Sequence, residues 1–182
     1  LLVLAAAFTT KAQTADEVIT KHIDAIGGAD NWKKVNSMKM EGLLQANGAD
    51  VNVTVTILHG KGMRQDISVM GMTGYEIVTP TEGWNFMPFQ GQQEPEAKTP
   101  EALAEAQDNL DAQGGLIDYT AKGHKVELLG KEDVEGTECF KLKLTKKGGS
   151  VSTLFIDPKS FYIVQSKTIQ KANGQEMEVV SS

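Results

Sequence analysis

The chain has 182 residues, 40% of them hydrophobic, and a formal net charge of −6 from 24 acidic and 18 basic side chains. That length suits one domain, and the apolar fraction excludes a globally disordered chain. The acidic balance argues against nucleic acid as a partner, since phosphate recognition needs a basic surface. The single cysteine, Cys139, can form no internal disulfide, so the fold does not rest on bridges.

The opening Leu1-Leu2-Val3-Leu4-Ala5-Ala6-Ala7-Phe8 is too short to span a membrane, which takes about 20 apolar residues in a helix. Followed by Thr10-Lys11-Ala12, it reads as the remnant of a secretory signal peptide over residues 1–12. The mature chain, 13–182, is then expected to be one soluble, unanchored domain exported to the periplasm, and a monomer. No cysteine follows the apolar run to accept a lipid.

Thr14-Ala15-Asp16-Glu17 matches a helix-capping box, and Ala15, Val18, Ile19, Ile23 and Ile26 continue at helical spacing. Gly27-Gly28 stops this helix, and a short helical turn over 30–34 brings Trp32 back to the same face. From Ser37 the period becomes 2. Met38, Met40, Gly42 and Leu44 alternate with polar residues, Asn47-Gly48 turns the chain, and Val51, Val53, Val55 and Ile57 alternate again. Further strands are predicted over 63–70, 72–79 and 82–87, with connections short enough to allow only hairpins.

A polar loop over 88–95 leads to Thr99-Pro100, a cap followed by proline at the first helical position. This second helix has few apolar members, mainly Leu103, Ala106 and Leu110, and reads as a surface element with one modest greasy edge. Strands resume over 125–129, 138–145, 151–157, 162–172 and 175–182. About ten strands and two main helices make an α+β fold, expected as one large, strongly curved antiparallel sheet with helices covering its concave side.

No clustered catalytic constellation is legible. His22, His59 and His124 are far apart in sequence, share no metal-ligand spacing and read as surface or cap histidines. Cys139 has no sequence partner for nucleophilic chemistry. The sequence therefore predicts neither an enzyme nor a metal or other cofactor. A hydrolase would need a cluster such as His124 with Glu127 or Asp118 facing the cavity. Six of the seven methionines precede residue 90, and this adaptable side chain suits surfaces that accept irregular acyl chains. A greasy concave face under a movable helix is a ligand site by default.

The stretch Thr81-Glu82-Gly83-Trp84-Asn85-Phe86-Met87-Pro88-Phe89, after the hairpin residues Met63-Arg64-Gln65-Asp66-Ile67, resembles the strand-and-exit segment of the LolA lipoprotein-carrier family. The tracts 14–19, 22–28 and 118–137 are similar to outer-membrane lipoprotein-sorting proteins of that kind. The resemblance implies a half-open β-barrel with an apolar cavity for acyl chains. It also implies a lipid or acylated lipoprotein as ligand and envelope proteins as possible partners. The family continues past residue 182 with further strand residues, so an edge of the barrel is expected to be missing. Where the carrier has a lid-gating Arg-Pro step, this chain has His59-Gly60-Lys61-Gly62, and no gating arginine is carried over.

Strand parity selects the expected lining. It comprises Met38 and Met40, then Val53, Val55 and Ile57, then Met63, Ile67 and Val69, then Tyr75 and Ile77, then Trp84 and Phe86, with Leu103 from the helix above. The alternative to a carrier is the same fold used as an envelope stress-sensing or protein-interaction domain.

Overall fold

A computed structural model of the chain describes residues 13–46, 48–172 and 175–182. Residues 1–12, read as a signal-peptide remnant, and the expected turn at Asn173-Gly174 lie outside the described residues, as does Asn47. The first helix, α1 (Ala15–Ala25), begins as its sequence requires. Thr14 accepts from the Glu17 N–H at 3.2 Å while the Glu17 carboxylate accepts from the Thr14 N–H at 3.0 Å. A single helical turn, α2 (Ala29–Trp32), follows, and the Trp32 indole N–H donates to the Ile26 carbonyl at 3.0 Å.

Six strands then run as a meander: β1 (Ser37–Ala46), β2 (Ala49–Leu58), β3 (Gly62–Val69), β4 (Met72–Val78), β5 (Gly83–Phe86) and β6 (Glu96–Ala97). Helix α3 (Pro100–Gln107), capped by Thr99, continues into a 3-10 turn over Asp108–Leu110. The second sheet is formed by β7 (Lys125–Val134), β8 (Thr137–Thr145), β9 (Val151–Ile156), β10 (Ile163–Ala172) and β11 (Gln175–Ser181), in the order β11-β10-β9-β8-β7. The fold is thus α+β and antiparallel throughout, but its strands are hydrogen-bonded into two sheets where the sequence predicts one. Among the described residues neither sheet closes on itself.

Each sheet has its own core. Helix α1 lays Val18 and Ile19 on Phe140, Leu142 and Leu144 of β8 and on Leu154 and Ile156 of β9, with Leu116 beside them. On the six-stranded sheet, Ala106, Leu110 and Ala112 pack on Ile57, Met63 and Val78. The modest greasy edge expected of the second helix is therefore a buried contact. Small residues let the helix and its 3-10 turn sit close to the strands, which is why a weak apolar stripe suffices.

Two local readings are corrected by the structure. Gly130 (φ 103°) looks like the end of a strand, yet it is a bulge inside β7, between the pairs Leu128–Leu142 and Lys131–Phe140. His22, read as a surface or cap residue, is buried, and its Nδ1–H donates to the Phe161 carbonyl at 2.8 Å. It fastens α1 to the β9–β10 turn.

Leu142 is fully buried at the centre of the first core, so Leu142→Ala should cost about 2–5 kcal/mol in urea denaturation. Thr14→Ala, which removes only the cap, should cost about 1 kcal/mol in the same measurement.

Candidate functional site

Direct partners across an antiparallel ladder point to the same face, so the register sorts the six-stranded sheet into rows. Met38, Ile57, Met63 and Val78 form the first row, ending at Gly83, and it lies beneath Ala106, Leu110 and Ala112. Met40, Val55, Gln65, Glu76 and Asn85 form the second. Gly42, Val53, Ile67 and Gly74 form the third, and Leu44, Val51, Val69 and Met72 the fourth.

The roof reaches only the first of these rows and the edge of the second. Beyond it the face stays apolar and uncovered: Met40 is 45% exposed, Leu44 59% and Met72 45%. At the β4 end the chain after β5 folds back over Gly74. A Cβ there would come within 2.8 Å of both the Met87 sulfur and the Phe89 ring, so only glycine permits that approach. At the β1 end, the position a Cβ would take on Gly42 is open. A shallow gap therefore lies between Met40 and Leu44.

The expected lining residues divide accordingly. Ile57 and Met63 are buried in the core under the roof, with Met38, Val55 and Leu103 packed against them. Met40, Val53, Ile67 and Val69 share the same face and remain partly accessible. Tyr75, Ile77, Trp84 and Phe86 are on the other face. Tyr75 pairs with Phe86 and Ile77 with Trp84, and their β3 partners are Asp66 and Arg64. There Tyr75 and Phe86 sit with ring centroids 5.8 Å apart, and the Arg64 guanidinium lies 4.9 Å over Tyr75, held by Asp66 at 2.6 Å.

The reason is the two-residue turn Met70-Gly71, with φ of 50° and 80°. It pairs Val69 with Met72 directly, and that shifts the parity of β4 and β5 by one. Leu44, Val51 and Met72 belong to the inner face in place of the four aromatic and aliphatic residues.

A cavity of about 870 Å³ opens where the second row meets α3 and the far sheet. Its lining is more polar than the sequence predicts. Gln65 and Glu76 supply the floor, Lys98 one side, Glu105 and Asn109 the roof, and Ser152, Ser166 and Thr168 the opposite wall. Lys98 pairs with Glu76 at 3.1 Å, with side chains 14% and 23% exposed.

A second cavity of about 530 Å³ lies on the other side of the roof, lined by His59, Asp108, Asp111, Lys122, His124 and Lys147 among others. Lys122 donates to Asp111 at 2.6 Å and to the Gly114 carbonyl at 2.9 Å. The Gly148 N–H donates to Asp108 at 2.9 Å. His59 Nδ1 is 3.4 Å from Asp111, yet this buried nitrogen has no hydrogen-bond partner. His124 meets Asp108 and Asp111 here, whereas Asp118 pairs with Lys33 at 2.8 Å and Glu127 with Lys143 at 3.8 Å. Among the described residues, this lining holds no serine, threonine or cysteine.

Cys139 is fully buried, and burial, with Asp157 and Asp133 adding to it, pushes its thiol above the ordinary range. Among the described residues, no three His, Cys, Asp or Glu side chains are grouped to hold a metal ion, and no helix is long and apolar enough to cross a membrane.

No protein-family model and no curated protein matches the chain. Solved structures do. A DUF1329 family protein from Desulfovibrio piger ATCC 29098 is 12% identical, with 87% of this chain and 82% of that one covered, at a TM-score of 0.44. A LolA superfamily protein from Nitrosomonas europaea is 15% identical, covers 91% and 75%, and scores 0.44. The structural neighbours include the family that the sequence motifs resemble. A putative outer membrane lipoprotein-sorting protein domain from Vibrio parahaemolyticus is a further one, at 11% identity, 87% and 75% coverage and a TM-score of 0.43. Likeness at this level carries no argument about function, which rests on the site's own geometry.

Burial lowers the pKa of His124, with Lys146 and Lys122 adding to the effect and Asp108 and Asp111 opposing it. Its Nδ1 accepts the Lys147 N–H at 3.0 Å, which only an unprotonated nitrogen can do. The unfolded chain then takes up this proton at higher pH than the folded one. Stability contributed by the neutral ring is present above the ordinary histidine pKa and lost as pH falls through the folded value. Urea midpoints should drop between pH 7 and pH 5, and His124→Asn, which keeps an acceptor without titrating, should flatten that dependence.

Proposed function

We propose that this chain is a non-catalytic periplasmic carrier of lipids or acylated lipoproteins, its two sheets facing each other as a half-open barrel with α3 and its 3-10 turn as a partial roof. One observation carries the reading. The third and fourth rows of the six-stranded sheet present an apolar floor that stays largely uncovered among the described residues, with Met87 and Phe89 reaching it at Gly74, and the neighbouring second row lines a cavity between the sheets.

An uncovered apolar face of this kind is costly to leave in water and marks a site of association. Its shape favours a chain-like ligand. Four strands about 4.8 Å apart offer a track of about 14 Å across the sheet, with the gap at Gly42 at one end and Met87 and Phe89 at the other. Each methylene transferred from water to such a floor gains about 0.8 kcal/mol, so a partly engaged acyl chain already suffices for measurable binding. The sequence motifs of the lipoprotein-carrier kind agree with this role.

Native mass spectrometry of protein from an envelope fraction should show a retained lipid, and a fluorescent fatty acid should bind and be displaced by unlabelled lipid. Met40→Asp and Leu44→Asp put a charge on the floor at positions exposed enough to leave folding intact. Each should weaken the fatty acid by about tenfold or more with the urea midpoint nearly unchanged. Protein that carries no lipid, binds no fatty acid and co-purifies with one fixed envelope protein would replace the carrier with an interaction domain. The outer face around Arg64, Tyr75 and Trp84 would then be the surface to test.

A further inference from the structure

We propose that the exposed edge of β1 pairs antiparallel with β1 of a second copy of this chain, joining two six-stranded sheets into one across a twofold axis. The inference is independent of the carrier reading, and it replaces the monomer expected from the sequence.

An outer strand presents a row of unpaired N–H and C=O groups, and proteins blunt such edges with short strands, bulges, proline or charge. Among the described residues, three of the four outer strands are blunted or ill-matched to themselves. Strand β6 is two residues long, β7 carries the Gly130 bulge and five charged residues, and the sequence of β11 holds acidic charge alone. Strand β1 is different. It pairs with β2 over ten residues without a bulge, has no second neighbour among the described residues, and is exposed on both faces from Lys39 to Gln45. Leu43 is 61% exposed on one face, and Met40 and Leu44 are open on the other.

The backbone is in phase for pairing. Ala46 and Ala49 face each other with two residues between them, which makes theirs a hydrogen-bonded pair. At the other end of the strand, the Asn36 carbonyl accepts from the His59 N–H at 2.9 Å. Bonds to β2 therefore fall on the even-numbered residues. Ser37, Lys39, Glu41 and Leu43 turn their N–H and C=O groups to the open edge.

Charge selects both the partner and the register. Lys39 and Glu41 lie on the same face and pair within one chain at 2.6 Å, with both side chains well exposed. A twofold axis at Met40 sets Lys39 of each copy directly opposite Glu41 of the other, with Met40 against Met40 and Ser37 against Leu43. It also sets Met38 of one copy opposite Gly42 of the other, where the position of a Cβ is open, at the free end of the proposed acyl track. Moving the axis by one residue puts Glu41 on Glu41 or Lys39 on Lys39, and like charges directly opposite are destabilising. A strand that is its own charge complement in one register is matched to a copy of itself, in a closed contact that uses the same surface twice.

Sedimentation velocity on the full chain at neutral pH and low salt should show a monomer–dimer equilibrium. K39E and E41K each create two like-charge contacts across the axis, and each should raise the dimer dissociation constant about tenfold or more. The double variant K39E/E41K exchanges the charges and should restore the wild-type constant. An equimolar mixture of K39E and E41K should dimerise where each alone does not, an outcome that no effect within one chain can produce. Urea midpoints of all variants should stay near that of the wild type, because both side chains are exposed. A wild type that stays monomeric at about 1 mM, that assembles beyond a dimer, or that dimerises no better than K39E overturns the proposal.

Discussion

The direct pairing of Val69 with Met72 across the Met70-Gly71 turn fixes which side of the six-stranded sheet faces the roof. Because side chains alternate strictly along a strand, a single pairing at a tight turn sets the facing of every residue beyond it. Here it sends Glu76 and Asn85 inward beside Gln65 and turns Tyr75, Ile77, Trp84 and Phe86 outward. The floor is therefore apolar at both ends and crossed by one polar row. A slip of one residue would turn Tyr75 and Ile77 inward in place of Glu76 and leave no place for the Glu76–Lys98 pair. The character of the site follows from that hairpin.

The polar row divides two kinds of apolar surface. Below it, the first row is closed by Ala106, Leu110 and Ala112 and contributes to the core. Above it, the floor carries residues as large as Leu44 and Met72 that are 59% and 45% exposed. A partly buried ion pair gains little net stability once its desolvation is counted, so the fold does not require one at this boundary.

The roof is held by a few directional contacts at its C-terminal end. The Gly60 N–H donates to the Leu110 carbonyl at 2.9 Å, Gly148 donates to Asp108, and Lys122 pairs with Asp111. Gly148 lies so close to the Ala104 carbonyl and the Asp108 carboxylate that a Cβ would collide with both. Where helix meets turn, the Gln107 amide donates to the Pro80 carbonyl at 2.8 Å, and just before the helix the Lys98 N–H donates to the Gly83 carbonyl at 2.8 Å. Each such bond contributes about 1 kcal/mol, and the apolar contact beneath is made by two alanines and the leucines Leu103 and Leu110. The segment is anchored without being locked in place by bulk.

The sequence by itself determined the elements whose signals are local. The capping box at Thr14 and the Thr99-Pro100 helix start are found where they were read, and so is the alternation through β1, β2 and β8. The apolar face of β1 to β3 was legible as well, because Val53, Val55, Ile57, Met63 and Ile67 repeat with period 2. The parity of β4 was not, since Tyr75 and Ile77 alternate as plausibly as Gly74 and Glu76, and only the hairpin pairing chooses between them. Tertiary structure alone decided that Gly130 is a bulge, that His22 is buried, that the strands form two sheets and that the space between them is polar. Each depends on which chain segments meet across long sequence separations, and hydrophobic periodicity along one segment carries no information about its partner.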